Sequence, residues 1–157
     1  MNRTRRQVLK SGGSVTLLTL VVAAGWLKPG DAAAESWNKA AFDTKSMADT
    51  MKALGGGEPV QSKDIVFFQT PDIAENGAVV PVGIVSNIPK TESIAVLIEK
   101  NPNMLAAVFD IPPGTEPSIS TRVKMGQSSN IYALVKADGK YFVAAKDVKV
   151  TLGGCGG

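Results

Sequence analysis

Histidine is absent from all 157 residues, and cysteine occurs once, at position 155. Without histidine there can be no Ser-His-Asp or Cys-His pair to activate a nucleophile. Most zinc, copper and haem sites are excluded for the same reason. One cysteine excludes an iron–sulfur cluster, a CxxC redox pair and an internal disulfide. The triplet Gly55-Gly56-Gly57 lacks the GxxxxGK[ST] spacing of a phosphate loop. Carboxylates such as Asp64, Asp72 and Glu75 are scattered through turn regions, and their spacing proposes no calcium site. No cofactor and no metal are expected.

Long apolar runs are also scarce. The longest, Val15 to Leu27, is interrupted by Gly25 and followed by Lys28, Pro29, Gly30 and Asp31. A membrane-spanning helix needs about 20 apolar residues. The stretch instead reads as an export signal over residues 1–34. It has a basic start (Arg3, Arg5, Arg6, Lys10), an apolar middle, and the small residues Ala32-Ala33-Ala34 as a cleavage site. "TRRQVLK" resembles the signal motif of the twin-arginine (Tat) pathway, with Arg5-Arg6 followed by Val8-Leu9 and Lys10. Val8 stands where phenylalanine is commoner. A general export signal that happens to carry two arginines is the alternative. The resemblance implies export of a protein already folded, with a partner aboard in many such cases.

The formal net charge of +3 belongs to that signal. Residues 1–34 hold five of the 17 basic residues (Arg3, Arg5, Arg6, Lys10, Lys28) and one of the 14 acidic ones (Asp31). The remaining chain has 12 basic and 13 acidic residues, a net charge of −1. Electrostatic binding of nucleic acid has no basis in such a chain.

Residues 35–57 read as a short helical segment. Trp37, Phe42, Met47, Met51 and Leu54 recur at helical spacing, the usual mark of core packing. Asp43 or Thr44 would cap a helix running to Leu54, and the three glycines would end it. From Asp64 the texture changes to short runs rich in Val, Ile and Phe between turn residues. Strands are expected over residues 64–69, 78–87, 92–100, 103–111, 118–125, 129–137 and 140–152. Between them lie breaks such as "TPDIAENG" (70–77) and "PPGTEP". Asp138-Gly139 would form a tight hairpin, and Pro81 would mark an edge or a bulge. The fold class is therefore mainly β, an Ig-like antiparallel β-sandwich of about seven strands over residues 58–152.

A half-exposed strand should alternate apolar and polar residues. Here Ile94, Val96 and Ile98 form one side of a strand, while Ala95 and Leu97 make the other apolar too. Phe142 and Ala144 likewise oppose Tyr141, Val143 and Ala145. A two-sheet domain buries only its inner faces. The surplus needs cover from the N-terminal helix or from a partner protein.

The last five residues, Gly153-Gly154-Cys155-Gly156-Gly157, form a slim arm with the lone thiol on it. Extended chain spans about 3.3–3.6 Å per residue, so three residues past Leu152 the thiol stands roughly 10 Å off the body. Glycine adds no bulk and turns freely. Such an arm can enter a narrow channel in another protein. The same thiol could also tether a partner by an intermolecular disulfide, since exported proteins meet oxidising conditions. An unassisted thiol has a pKa of about 8.5, and only the thiolate attacks. Lys146 and Lys149 precede the arm but need not reach it. Activation must then come from another protein.

The terminal "GGCGG", the Tat-like "TRRQVLK", the strand series and the segment "NIPKTESIAVLIEKNPNMLAAVFDI" (87–111) together resemble the SoxY family of the Sox thiosulfate-oxidising system. The resemblance covers nearly the whole chain. It implies a periplasmic sulfur carrier that catalyses no step itself. Cys155 would be the covalent attachment point, with Gly153, Gly154, Gly156 and Gly157 as its carrier arm. It further implies a heterodimer with a SoxZ-like subunit. Transient contacts with the c-type cytochrome SoxAX, the manganese-dependent hydrolase SoxB and a sulfane dehydrogenase are implied as well. Two rival classes stand beside it: an exported β-sandwich interaction module tethered through Cys155, and a thiol enzyme using Cys155 as its own nucleophile.

Overall fold

The computed structural model describes residues 38–152. The expected export signal with Arg5 and Arg6, the residues 35–37, and the expected arm 153–157 lie outside the described residues.

Two short helices lead in. Helix α1 (Lys39–Phe42) is capped by Asn38, whose side chain accepts a hydrogen bond from the Ala41 N–H. Helix α2 (Met47–Ala53) is capped by Ser46, whose Oγ accepts from the Asp49 N–H. The expected single helix capped by Asp43 or Thr44 is thus corrected. Asp43 closes α1, and Thr44 turns inward to share a 2.6 Å hydrogen bond with Thr50. Three polar residues in a row, Asp43-Thr44-Lys45, break the apolar period and make two helices from one. The glycine end does fall as expected. Ala53 is the last helical residue, Leu54 is its C-cap, and Gly55 takes φ +73°. The Gly56 N–H then donates to the Met51 carbonyl and the Gly55 N–H to that of Lys52, the double bond of a Schellman close.

All seven expected strands form, and two more appear. In chain order they are β1 (Val60–Gln61), β2 (Ile65–Phe67), β3 (Ile73–Ala74), β4 (Val80–Ser86), β5 (Thr91–Ile98), β6 (Leu105–Asp110), β7 (Ser118–Val123), β8 (Ser129–Ala137) and β9 (Lys140–Val150). One sheet has the order β9-β8-β5-β6, with the two-residue strands β1 and β3 both pairing parallel to β9 on its outer edge. The second sheet is β2-β4-β7. The neighbours among the seven main strands are antiparallel, which makes the Ig-like four-plus-three sandwich.

The β8–β9 hairpin closes with Ala137 opposite Lys140. Asp138 (φ +48°) and Gly139 (φ +72°) take the two positive φ values of a type I′ turn. Pro81 lies in β4, the middle strand of its sheet, yet at a local edge. β2 pairs only with Ile84–Ser86, so the missing N–H of Pro81 faces no strand.

Two apolar clusters hold the unit together. Between the sheets lie Val80, Val82, Ile84, Ile94, Val96, Ile98, Ile131, Val135 and Val148, all fully buried. On the outer face of the larger sheet, Ala95, Leu97, Leu134 and Val143 pack with Ala41 and Met51 of the helices. The two-sided strands are explained: the helices cover the surplus from within the chain. Ala145 is the exception, since it is exposed beyond the reach of α2.

Candidate functional site: the root of the carrier arm

The last strand outruns its neighbour. β8 begins at Ser129, which pairs with Val148. Residues 149–152 therefore extend past the sheet, where a strand end would ordinarily fray. Here a segment that looks like a turn takes over. The Lys149 N–H donates to the Asp72 carbonyl at 2.9 Å, and the Thr151 N–H to the Ala74 carbonyl at 3.0 Å. The Gly77 N–H donates to the Leu152 carbonyl at 2.8 Å. Thr151 Oγ1 reaches the Glu75 carbonyl at 3.0 Å. On the other side, Ser128 Oγ accepts from the Val150 N–H at 2.9 Å, filling the place of a missing strand residue. The backbone is held as far as Leu152, one residue before Gly153.

The surface around this root is apolar at its centre. Leu152 is 70% exposed, Ile73 59% and Val79 53%, although each is large and hydrophobic. Charges lie to one side. Lys146 Nζ is 2.9 Å from Asp72 Oδ1, so that ammonium is already engaged. Lys149 and Asp147 are exposed on the neighbouring face. A shallow hollow is lined by Asp72, Ile73, Ala145, Lys146 and Lys149 beside the root.

A larger open hollow of about 710 Å³ lies elsewhere, lined by Met47, Met51, Gly56, Tyr132 and Val143. It is nine residues back along β9 from Leu152, or roughly 30 Å at strand rise. Among the described residues no three acidic side chains gather where a metal ion could be held. Among them, too, no helix is long and apolar enough to cross a membrane.

Cys155, Gly153, Gly154, Gly156 and Gly157 are beyond the described residues, so the structure places their root and not the residues themselves. Sequence reasoning ended the strand at Leu152 but missed the residues that hold it there. Asp72, Ala74, Gly77 and Ser128 were all read as parts of breaks. The only signal was Ile73-Ala74, an apolar pair inside a turn-like stretch.

Among solved structures, that of the sulfur carrier protein SoxY from Chlorobium limicola f. thiosulfatophilum matches with a TM-score of 0.60. It is 36% identical, over 66% of this chain and 94% of that one. A superoxide reductase (neelaredoxin) from Ignicoccus hospitalis matches with a TM-score of 0.48 and 18% identity, over 55% of this chain and 78% of that one. The search of curated proteins found no match. An Ig-like sandwich with this likeness is a carrier protein and not an enzyme. The family model for "Sulfur oxidation protein SoxY" matches residues 50–155, and the chain belongs to the SoxY family.

Proposed function

We propose that this protein is a periplasmic covalent sulfur carrier, exported by the Tat pathway through Arg5-Arg6, with Cys155 as the attachment point. The observation that carries the reading is the arm's root: the chain is held firmly to Leu152, and the lone thiol follows three residues later. The family match, which runs to residue 155, supports the same residue.

In the proposed cycle the Cys155 thiolate and the outer sulfur of thiosulfate form an S–S bond, giving Cys–S–S–SO3⁻. The two electrons released pass to the c-type cytochrome SoxAX. Water then cleaves the S–SO3⁻ bond in the hydrolase SoxB, releasing sulfate and a proton and leaving a persulfide on Cys155. In systems that have one, a sulfane dehydrogenase oxidises the outer sulfur of the persulfide with three waters to Cys–S–SO3⁻, releasing seven protons and passing six electrons to a cytochrome acceptor. A second hydrolysis in SoxB then frees the thiol as sulfate leaves. The carrier's contribution is to hold each intermediate covalently and to present it. Gly153, Gly154, Gly156 and Gly157 keep the arm narrow enough for buried active sites.

A SoxZ-like subunit completes the proposed assembly. The helices account for the surplus apolar strand faces, so those faces no longer argue for it. Support comes from the outer face of β2-β4-β7. There Phe68, 48% exposed, lies over Gly83 with Val66 on the same face. Apolar residues grouped on one exposed face suit a protein partner.

The test is the intact mass of the protein from periplasm of cells grown with and without thiosulfate, kept free of reductant. Reducible adducts of thiosulfate or sulfur mass on the Cys155 peptide are expected only with thiosulfate. A free thiol or a doubled mass in both cultures would favour the disulfide-tethered module instead.

A further inference from the structure

We infer that the segment 72–77, with Ser128 and Thr151, is a clamp that sets the free length of the arm and so ties Cys155 to the body of the carrier. The inference rests on the carrier reading and adds the residues that govern reach.

β8 supports β9 only as far as Val148. Without further contacts the free chain would begin at Lys149, and Cys155 would stand seven residues from its anchor. The clamp moves the anchor to Leu152, three residues away. It uses the carbonyls of Asp72, Ala74 and Glu75, the Gly77 N–H and the Ser128 hydroxyl. Its strand, β3, has only two residues and pairs with nothing but β9. So small a strand adds little to the core, although Ala74 is buried at its edge. What it does geometrically is hold four residues of chain that would otherwise lengthen the arm.

Reach falls from roughly 24 Å to roughly 10 Å when those four residues are held. The local concentration of a tethered group falls with about the −3/2 power of tether length. Lengthening from three to seven residues therefore lowers it about three- to fourfold. A short tether means that an enzyme taking Cys155 into its channel also bears on the body near Leu152. A long tether would uncouple the two.

Two variants of the full chain separate reach from stability. Thr151→Pro removes the N–H to Ala74 and the hydroxyl to Glu75 together. Insertion of four glycines after Leu152 lengthens the arm and leaves the clamp intact. Amide exchange at Lys149 and Gly77, alkylation of Cys155 by iodoacetamide, and kcat/KM for thiosulfate loading by purified SoxAX are measured on each. Faster exchange is expected in Thr151→Pro only. Alkylation should be unchanged in both, and kcat/KM should fall about three- to fourfold in both. Should Thr151→Pro not fold, Ser128→Ala replaces it. Wild-type kcat/KM in both variants, or unchanged exchange at Lys149 in the clamp variant, overturns the inference. A merely structural clamp would lower the melting temperature and leave kcat/KM of the folded protein unmoved. If wild-type Cys155 accepts no thiosulfate at all, the carrier reading fails, and the exchange data still decide whether the clamp holds the strand.

Discussion

Strand β5 is buried on both faces, and the two faces can be tested one residue apart. Val96 faces the space between the sheets, while Leu97 faces the helices, and both are 0% exposed. If the helices are as much a part of the folded body as the second sheet, truncating either side chain should be costly. Leu97→Ala removes a fully buried side chain among Met51, Leu105, Leu134 and Val143, and should cost about 3 kcal/mol within the usual range of about 2–5. Val96→Ala removes two carbons at about 0.8 kcal/mol each, plus a cavity term, for roughly 2 kcal/mol. In a body of this size 1 kcal/mol is about 3–5 °C, so Leu97→Ala should melt roughly 10–15 °C lower. The assay is urea unfolding followed by far-UV circular dichroism, with reductant present to prevent dimers. Met51→Ala should couple with Leu97→Ala by at least about 0.5 kcal/mol and add simply to Val96→Ala. A Leu97→Ala cost under about 1 kcal/mol beside a Val96→Ala cost near 2 would refute the reasoning. The helices would then be a loose flap, and the outer face would again need a partner to cover it.

Further outcomes are expected. A Cβ on Gly56 would run into the Tyr141 ring, so Gly56→Val should displace that ring, break its 3.0 Å hydrogen bond to the Leu54 carbonyl and cost about 1–3 kcal/mol by chemical denaturation. Tyr141→Phe isolates the hydroxyl, at about 1 kcal/mol. Lys136 at 2.9 Å and the Gly139 N–H hold the Glu92 carboxyl below its ordinary 4.5. Its contribution is therefore present above the unfolded value and lost as pH falls through the folded one. Glu92→Gln should flatten the acid limb of the urea-midpoint profile, and an unchanged limb would remove Glu92 as its source. Cys155→Ser should abolish carriage with the fold intact. Valine at 154 and 156 should leave iodoacetamide alkylation unchanged but slow the partner enzymes; full rates in the reconstituted pathway would sink the narrow-arm argument.

The sequence by itself determined the parts that local chemistry decides. Alternation and turn residues located the seven main strands, and Asp138-Gly139 specified its hairpin because two adjacent positive φ values suit that pair. The missing histidine and the lone Cys155 removed most enzyme chemistries before any geometry was known. The excess of apolar residues on β5 and β9 was legible, but its cover was not, since periodicity says that a face is buried and not by what. Helix capping went to Ser46 because its hydroxyl reaches the Asp49 N–H, while Thr44 is drawn to Thr50 by the packing of α1 against α2. What holds the root of the arm was decided by tertiary structure alone. Asp72, Ala74, Glu75 and Gly77 hold β9 through backbone groups, and a backbone N–H or carbonyl is the same in every non-proline residue. Their roles come from the parallel approach of a distant segment to the end of the last strand, which no local pattern encodes.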